Sequence, residues 1–185
     1  MDPGGESLIL AVCTHNRTRS VLMECLLGMH LNKLGYKSTV GSAGTNAQPL
    51  PPIAGVDVQL QRFGLRSPQR VGRQVDGDLV ESASLIVTAE PDHVVWIAGQ
   101  WPHLFPRTFT LLELVEYGNQ IGPQGSSSLA EWLDDVSKLR PAVRTYLDRR
   151  SIPSIADPTG GPLAAWTEVT DQIDRACRHL ASYLG

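Results

Sequence analysis

The sequence is short of cysteine, carries little net charge and contains no long apolar run. Three cysteines, Cys13, Cys25 and Cys177, stand among 185 residues. An odd count with no CxxC pair argues against a disulfide scaffold or a zinc site. It fits a reducing compartment, so the cytoplasm is the expected location. A formal charge of −3 gives no general reason to bind nucleic acid or an anionic membrane, and any anion site must be local. No apolar run approaches the length of a membrane span. The opening MDPGGES lacks a basic start followed by an apolar stretch, so no signal peptide is expected.

What is present is ordinary for a soluble globular protein: 42% hydrophobic and 19% charged residues. The length suits one domain over residues 1–185. Residues 8–12, LILAV, read as a buried strand, and apolar residues fall near helical spacing from Ser20 to Leu34. A second short strand is expected at about 38–42, and a helix over PPIAGVDVQLQRFG, from Pro51 to Gly64. DLVESA reads as a short helix, and SLIVTA, residues 84–89, as a third buried strand. EPDHVVWIAGQ reads as a helix with proline in its first turn, and TFTLLELV contains a fourth strand. Residues 118–128 read as a loop, and 129–150 as a helical stretch interrupted at Pro141. The last helix is expected from near Pro162, with Trp166, Val169, Ile173, Cys177, Leu180 and Leu184 on one face. Alternating strands and helices predict an α/β fold with three αβα layers around a four-stranded parallel sheet.

The chemistry gathers where the first strand meets the first helix, in CTHNRTRS, residues 13–20. Ligands of open α/β sheets bind at the carboxyl ends of the strands. Loop amides and a helix N-terminus there attract an anion and favour a thiolate over a thiol. Arg19 adds a planar grip suited to a tetrahedral oxyanion. A thiolate from Cys13 under a bound phosphate is a nucleophile aimed at phosphorus. The Cys–Arg spacing alone carries little weight, because arginine is frequent in this chain; its place between strand and helix gives it meaning.

Two further motifs extend the pattern: GSAGT, residues 41–45, and IADPTGGP, residues 155–162. With GRQV at 72–75 and the segment from Ser84 to Ile97, they make the chain resemble the low-molecular-weight protein tyrosine phosphatases. The resemblance covers most of the chain except 118–152, which is longer than usual and reads as an insertion. It implies a phosphate-binding loop after strand 1 and catalysis through a cysteinyl phosphate. It implies that Cys13 is the nucleophile, Arg19 the oxyanion binder, and Asp157 the general acid and later base. It places Thr14, His15, Asn16, Arg17, Thr18 and Ser20 around the phosphate. Asn16 would hold the loop in shape, Ser20 would hydrogen-bond the thiolate, and Ser42 would support Asn16. No metal or cofactor is implied. The substrate would be a phosphorylated protein, on tyrosine by family habit, or a small phosphomonoester. Neither nucleic acid nor membrane is an expected partner.

The chain also departs from the family pattern. His15 replaces a glycine, and Thr18 the second loop cysteine. Arg17 stands where tyrosine-specific members have an apolar residue and arginine phosphatases a threonine, and it favours a more anionic substrate. Thr159 and Gly160 follow Asp157-Pro158 where tyrosines are common, and Gln48 replaces a common tryptophan. Trp96 and Trp101 could supply the missing walls, although packing is the simpler reading. An arsenate reductase coupled to an external small thiol is the alternative, since the segment 84–105 lacks the extra cysteines of the thioredoxin-coupled type. A non-catalytic phosphate-binding module is a third reading, which Asp157 opposes. His93, His103 and His179 form no ligand spacing and read as surface or helix positions, as do Asp134 and Asp135.

Overall fold

A computed structural model describes residues 7–148 and 151–185. Strand β1 (Ser7–Cys13) pairs in parallel with β2 (Ser38–Gly44) on one side and β3 (Ala83–Thr88) on the other, and β4 (Thr108–Thr110) pairs with β3. The order β2-β1-β3-β4 reverses direction beside β1, the place where open α/β sheets bind ligands. The period of two along β1 fills both faces. Ile9, Ala11 and Cys13 enter one core, and Leu10 and Val12 enter the other.

Helices cover both sides. On the first side lie α1 (Arg19–Lys33), α2 (Ala54–Gln61) and α5 (Leu111–Ile121), with α6 (Leu129–Ser137) and α7 (Leu163–Leu184). On the second lie α3 (Gly77–Ser82) and α4 (Pro91–Gln100) with the 3-10 turn Pro102–Arg107. All six residues expected on one face of α7 are buried. Trp96 and Trp101 pack edge to face in the second core, 6.0 Å between centroids, so packing is their role.

The region after β4 departs from expectation. Leu111–Ile121 is a helix, opened by a reciprocal Thr110–Glu113 capping box, so 118–121 are helical and the loop begins at Gly122. Gly118 is required there, because a Cβ would lie 2.6 Å from the Tyr183 ring. The helical stretch from 129 ends at Ser137 and resumes only as a 3-10 turn, Val143–Leu147. Its expected end at Arg150 lies outside the described residues. Arg140 ties this segment to the sheet edge. It bonds Glu113 Oε1 (2.9 Å), Phe105 O (2.5 Å) and Thr108 O (2.7 Å), and its guanidinium lies 4.0 Å from the centroids of Phe105 and Phe109. Tyr146 donates to the same Glu113 oxygen.

Candidate active site

The loop 13–19 is shaped by its neighbours before any ligand is considered. The chain leaving β2 runs alongside it, with Thr45 N donating to Cys13 O (3.0 Å) and Asn46 N to Thr14 O (2.8 Å). A Cβ on Gly44 would come within 2.5 Å of Thr14 O, so the approach needs glycine. Among the described residues Asn16 is the only non-glycine with positive φ, at 55°. Asparagine tolerates that region better than most residues, and here every polar atom of its amide is used. Nδ2 donates to Ser20 Oγ (3.0 Å) and Ser42 Oγ (2.7 Å). Oδ1 accepts from Arg73 N (2.8 Å) and Arg70 Nη1 (3.2 Å). Arg70 also reaches Ser42 Oγ (3.0 Å) and Glu24 (2.5 Å), and Ser42 donates to Glu24 (2.6 Å). Because Ser20 Oγ accepts from Asn16, its own hydrogen is left for Cys13 Sγ, 3.0 Å away.

Arg19, at the first position of α1, is 3% exposed. Its guanidinium is ion-paired with Glu90, donates to Ile155 O (3.0 Å) and meets Asp157 Oδ2 (3.1 Å). Its Nε is buried without a partner, a donor that a bound anion could satisfy. Burial would push the Asp157 carboxyl up. The hydrogen bonds from Thr159, then Arg19 and His15, outweigh burial and hold it below the usual carboxylate range.

Cys13, Arg19 and Asp157 open into one pocket of about 370 Å³, also lined by His15, Arg17, Thr18, Gln48, Ile53 and Thr159. The residues expected around a phosphate therefore divide. His15, Arg17 and Thr18 face the pocket, and Thr18 Oγ1 lies 3.2 Å from Thr159 Oγ1. The side chains of Thr14, Asn16 and Ser20 are engaged elsewhere, with His93, with Ser20 and Ser42, and with Cys13. Among the described residues no phenylalanine, tyrosine or tryptophan lines the pocket. Burial pushes the Cys25 thiol up to about 12 and also raises Cys177, so neither favours a thiolate.

Four contributing residues were not legible in the sequence. His93, expected at a surface or helix position, is 4% exposed at the start of α4 and bonds Thr14 Oγ1 (3.1 Å). Glu90, Arg70 and Ile53 are the others. A helix-start signal marks Glu90, three positions before His93, but not its pairing with Arg19; Arg70 and Ile53 carry no local signal at all.

The chain is similar to several known proteins. The chain is 30% identical, over 121 residues, to the protein-arginine-phosphatase of Bacillus subtilis, covering 64% of this chain and 81% of that protein. An arginine phosphatase from Geobacillus stearothermophilus superposes with a TM-score of 0.67 at 23% identity, over 95% of this chain and 90% of that one. The tyrosine phosphatase Wzb from Escherichia coli K30, solved in complex with sulphate, gives 0.68 at 21% identity over 98% and 100%. At such identities the structural likeness is one of fold. The profile of the low molecular weight phosphotyrosine protein phosphatases matches residues 8–120, and the chain belongs to that family of cysteine phosphatases.

Proposed function

We propose that the protein hydrolyses phosphomonoesters on protein substrates, with phosphotyrosine as the reacting residue, through a cysteinyl-phosphate intermediate. The observation that carries this reading is the convergence of Cys13, Arg19 and Asp157 on one pocket. Cys13 Sγ attacks phosphorus in line, forming the S–P bond as the P–O bond to tyrosine breaks. Arg19 and the loop amides hold the three non-bridging oxygens, which keep their charge throughout. Ser20 stabilises the thiolate across its 3.0 Å contact.

Asp157 delivers the proton to the departing oxygen. In the free protein it is held ionised beside Arg19. A bound phosphate dianion draws on the Arg19 charge and sits close to the carboxylate, and both effects favour the protonated acid. In the second step the carboxylate takes a proton from the attacking water, the S–P bond breaks, and Cys13 returns as thiolate. Ile53 supplies the apolar wall for the substrate ring in place of aromatic residues.

A second reading, hydrolysis of phosphoarginine, is favoured by the Bacillus subtilis relative. The pocket opposes it with Arg17, a cation at the mouth where the departing guanidinium would pass. The deciding experiment is a steady-state panel of p-nitrophenyl phosphate and phosphotyrosine, phosphoserine and phosphoarginine peptides, with arsenate plus a small thiol. Phosphotyrosine should give the highest kcat/KM among the peptides, and Cys13→Ser should bind phosphate without turnover. Preference for phosphoarginine would select the second reading, and thiol-dependent arsenate turnover alone would reject both.

A further inference from the structure

Arg17 lines the pocket without the acidic partner that five other arginines have. Arg19, Arg62, Arg70, Arg107 and Arg140 each reach a carboxylate. Among the described residues Arg17 meets none, and its side chain bonds only neutral acceptors: Nε donates to Pro51 O (2.9 Å) and Nη1 to Gln48 Oε1 (3.0 Å). Its own carbonyl accepts from Ile53 N (3.0 Å). Three contacts with the strap 48–53 therefore fix the residue in the pocket lining and leave its charge uncompensated. The one acidic side chain in that lining, Asp157, is already engaged by Arg19 and by Thr159 N (2.9 Å).

A guanidinium held in place by neutral groups has lost its rotational freedom before any ligand arrives, and its remaining N–H donors are free to form charge-assisted bonds. The phosphate has its own cation in Arg19, whose buried Nε is still without a partner. We infer that Arg17 forms a subsite for a second anion of the substrate, a carboxylate beside the phosphorylated residue, so that the protein selects phosphorylated segments flanked by Asp or Glu. This rests on the phosphatase reading above and adds the substrate's surroundings to it. It also accounts for a chain of net negative charge accepting an acidic partner: the attraction is confined to one mouth.

The test uses two phosphotyrosine peptides that differ only in flanking residues, Asp and Glu in one, Asn and Gln in the other. For the wild type, kcat/KM should be about five- to tenfold higher on the acidic peptide, mainly through KM, and the ratio should shrink in about 0.5 M salt. In Arg17→Gln the ratio should fall to near one, and in Arg17→Glu below one. The wild-type comparison stands alone if a variant folds poorly. Equal kcat/KM on the two peptides, or an unchanged ratio in Arg17→Gln, would overturn the subsite and leave the phosphatase intact. Absence of turnover on both peptides and on p-nitrophenyl phosphate would instead overturn the phosphatase reading, and the subsite with it.

Discussion

At His93 the two ring nitrogens have different and fixed tasks. Nδ1 accepts from Glu90 N (3.2 Å), so it carries no proton, and Nε2 donates to Thr14 Oγ1 (3.1 Å). Burial, then the nearby Arg19 charge, lower its pKa to about 4. The unfolded histidine titrates near 6.5, so between these values the unfolded chain binds the extra proton and stability rises with pH. That contribution is present above about pH 6.5 and is lost as pH falls toward 4. Urea unfolding at pH 7.5 and pH 5 should differ by about 2 kcal/mol from this residue alone. His93→Gln should remove that part of the difference. Asp157 gives a kinetic counterpart. Asp157→Asn should lower turnover of a phenyl phosphate by ~10²–10⁴-fold and of p-nitrophenyl phosphate far less, because nitrophenolate leaves with little help. Equal losses on both would deny Asp157 the role of acid. Cys13, Arg19 and Asp157 were legible because each stands in a local motif beside a strand end or a helix start. His93 and Arg70 were not, because their roles come from contacts with residues 79 and 54 positions away.

Among the elements, the segment 129–148 is anchored where the sheet would otherwise end. Strand β4 is only three residues long, and Arg140 caps its carbonyl edge while pairing with a fully buried Glu113. A buried pair is costly to break from one side only, since a charge is then stranded. Arg140→Ala should destabilise the fold by about 3–5 kcal/mol. Pairing Arg140→Met with Glu113→Leu should cost markedly less, which thermal melts of the three proteins would reveal. The helix 111–121 escaped the sequence reading because LLELV, taken with TFT, resembles the continuation of a strand. The Thr110–Glu113 capping box was the available signal, and it was hidden inside the apolar run. Strands β1 and β3 were readable as short continuous apolar runs, and α7 by its uninterrupted helical period.

Over the whole molecule, the pocket joins parts of the chain that are distant in sequence. An anion bound at the loop should therefore stabilise the entire fold and not one element. Inorganic phosphate at a hundred times its Kd should add about 2.7 kcal/mol. That corresponds to a rise of about 5–10 °C in Tm for a chain of this size. Arg19→Ala should abolish the shift, whereas Cys13→Ser should keep it.

Asp157 stands 138 positions after Arg19. It is followed by α7, which lies against α1 through His30 and Asp174 (2.8 Å) and through Cys177 and Met23. On the ribosome Cys13 and Arg19 thus emerge before Asp157, the proposed acid, and before the helix that covers the apolar face of α1. A translation product cut short before α7 should therefore expose the apolar face of α1 to chaperones, because the helix that covers it has not yet been made.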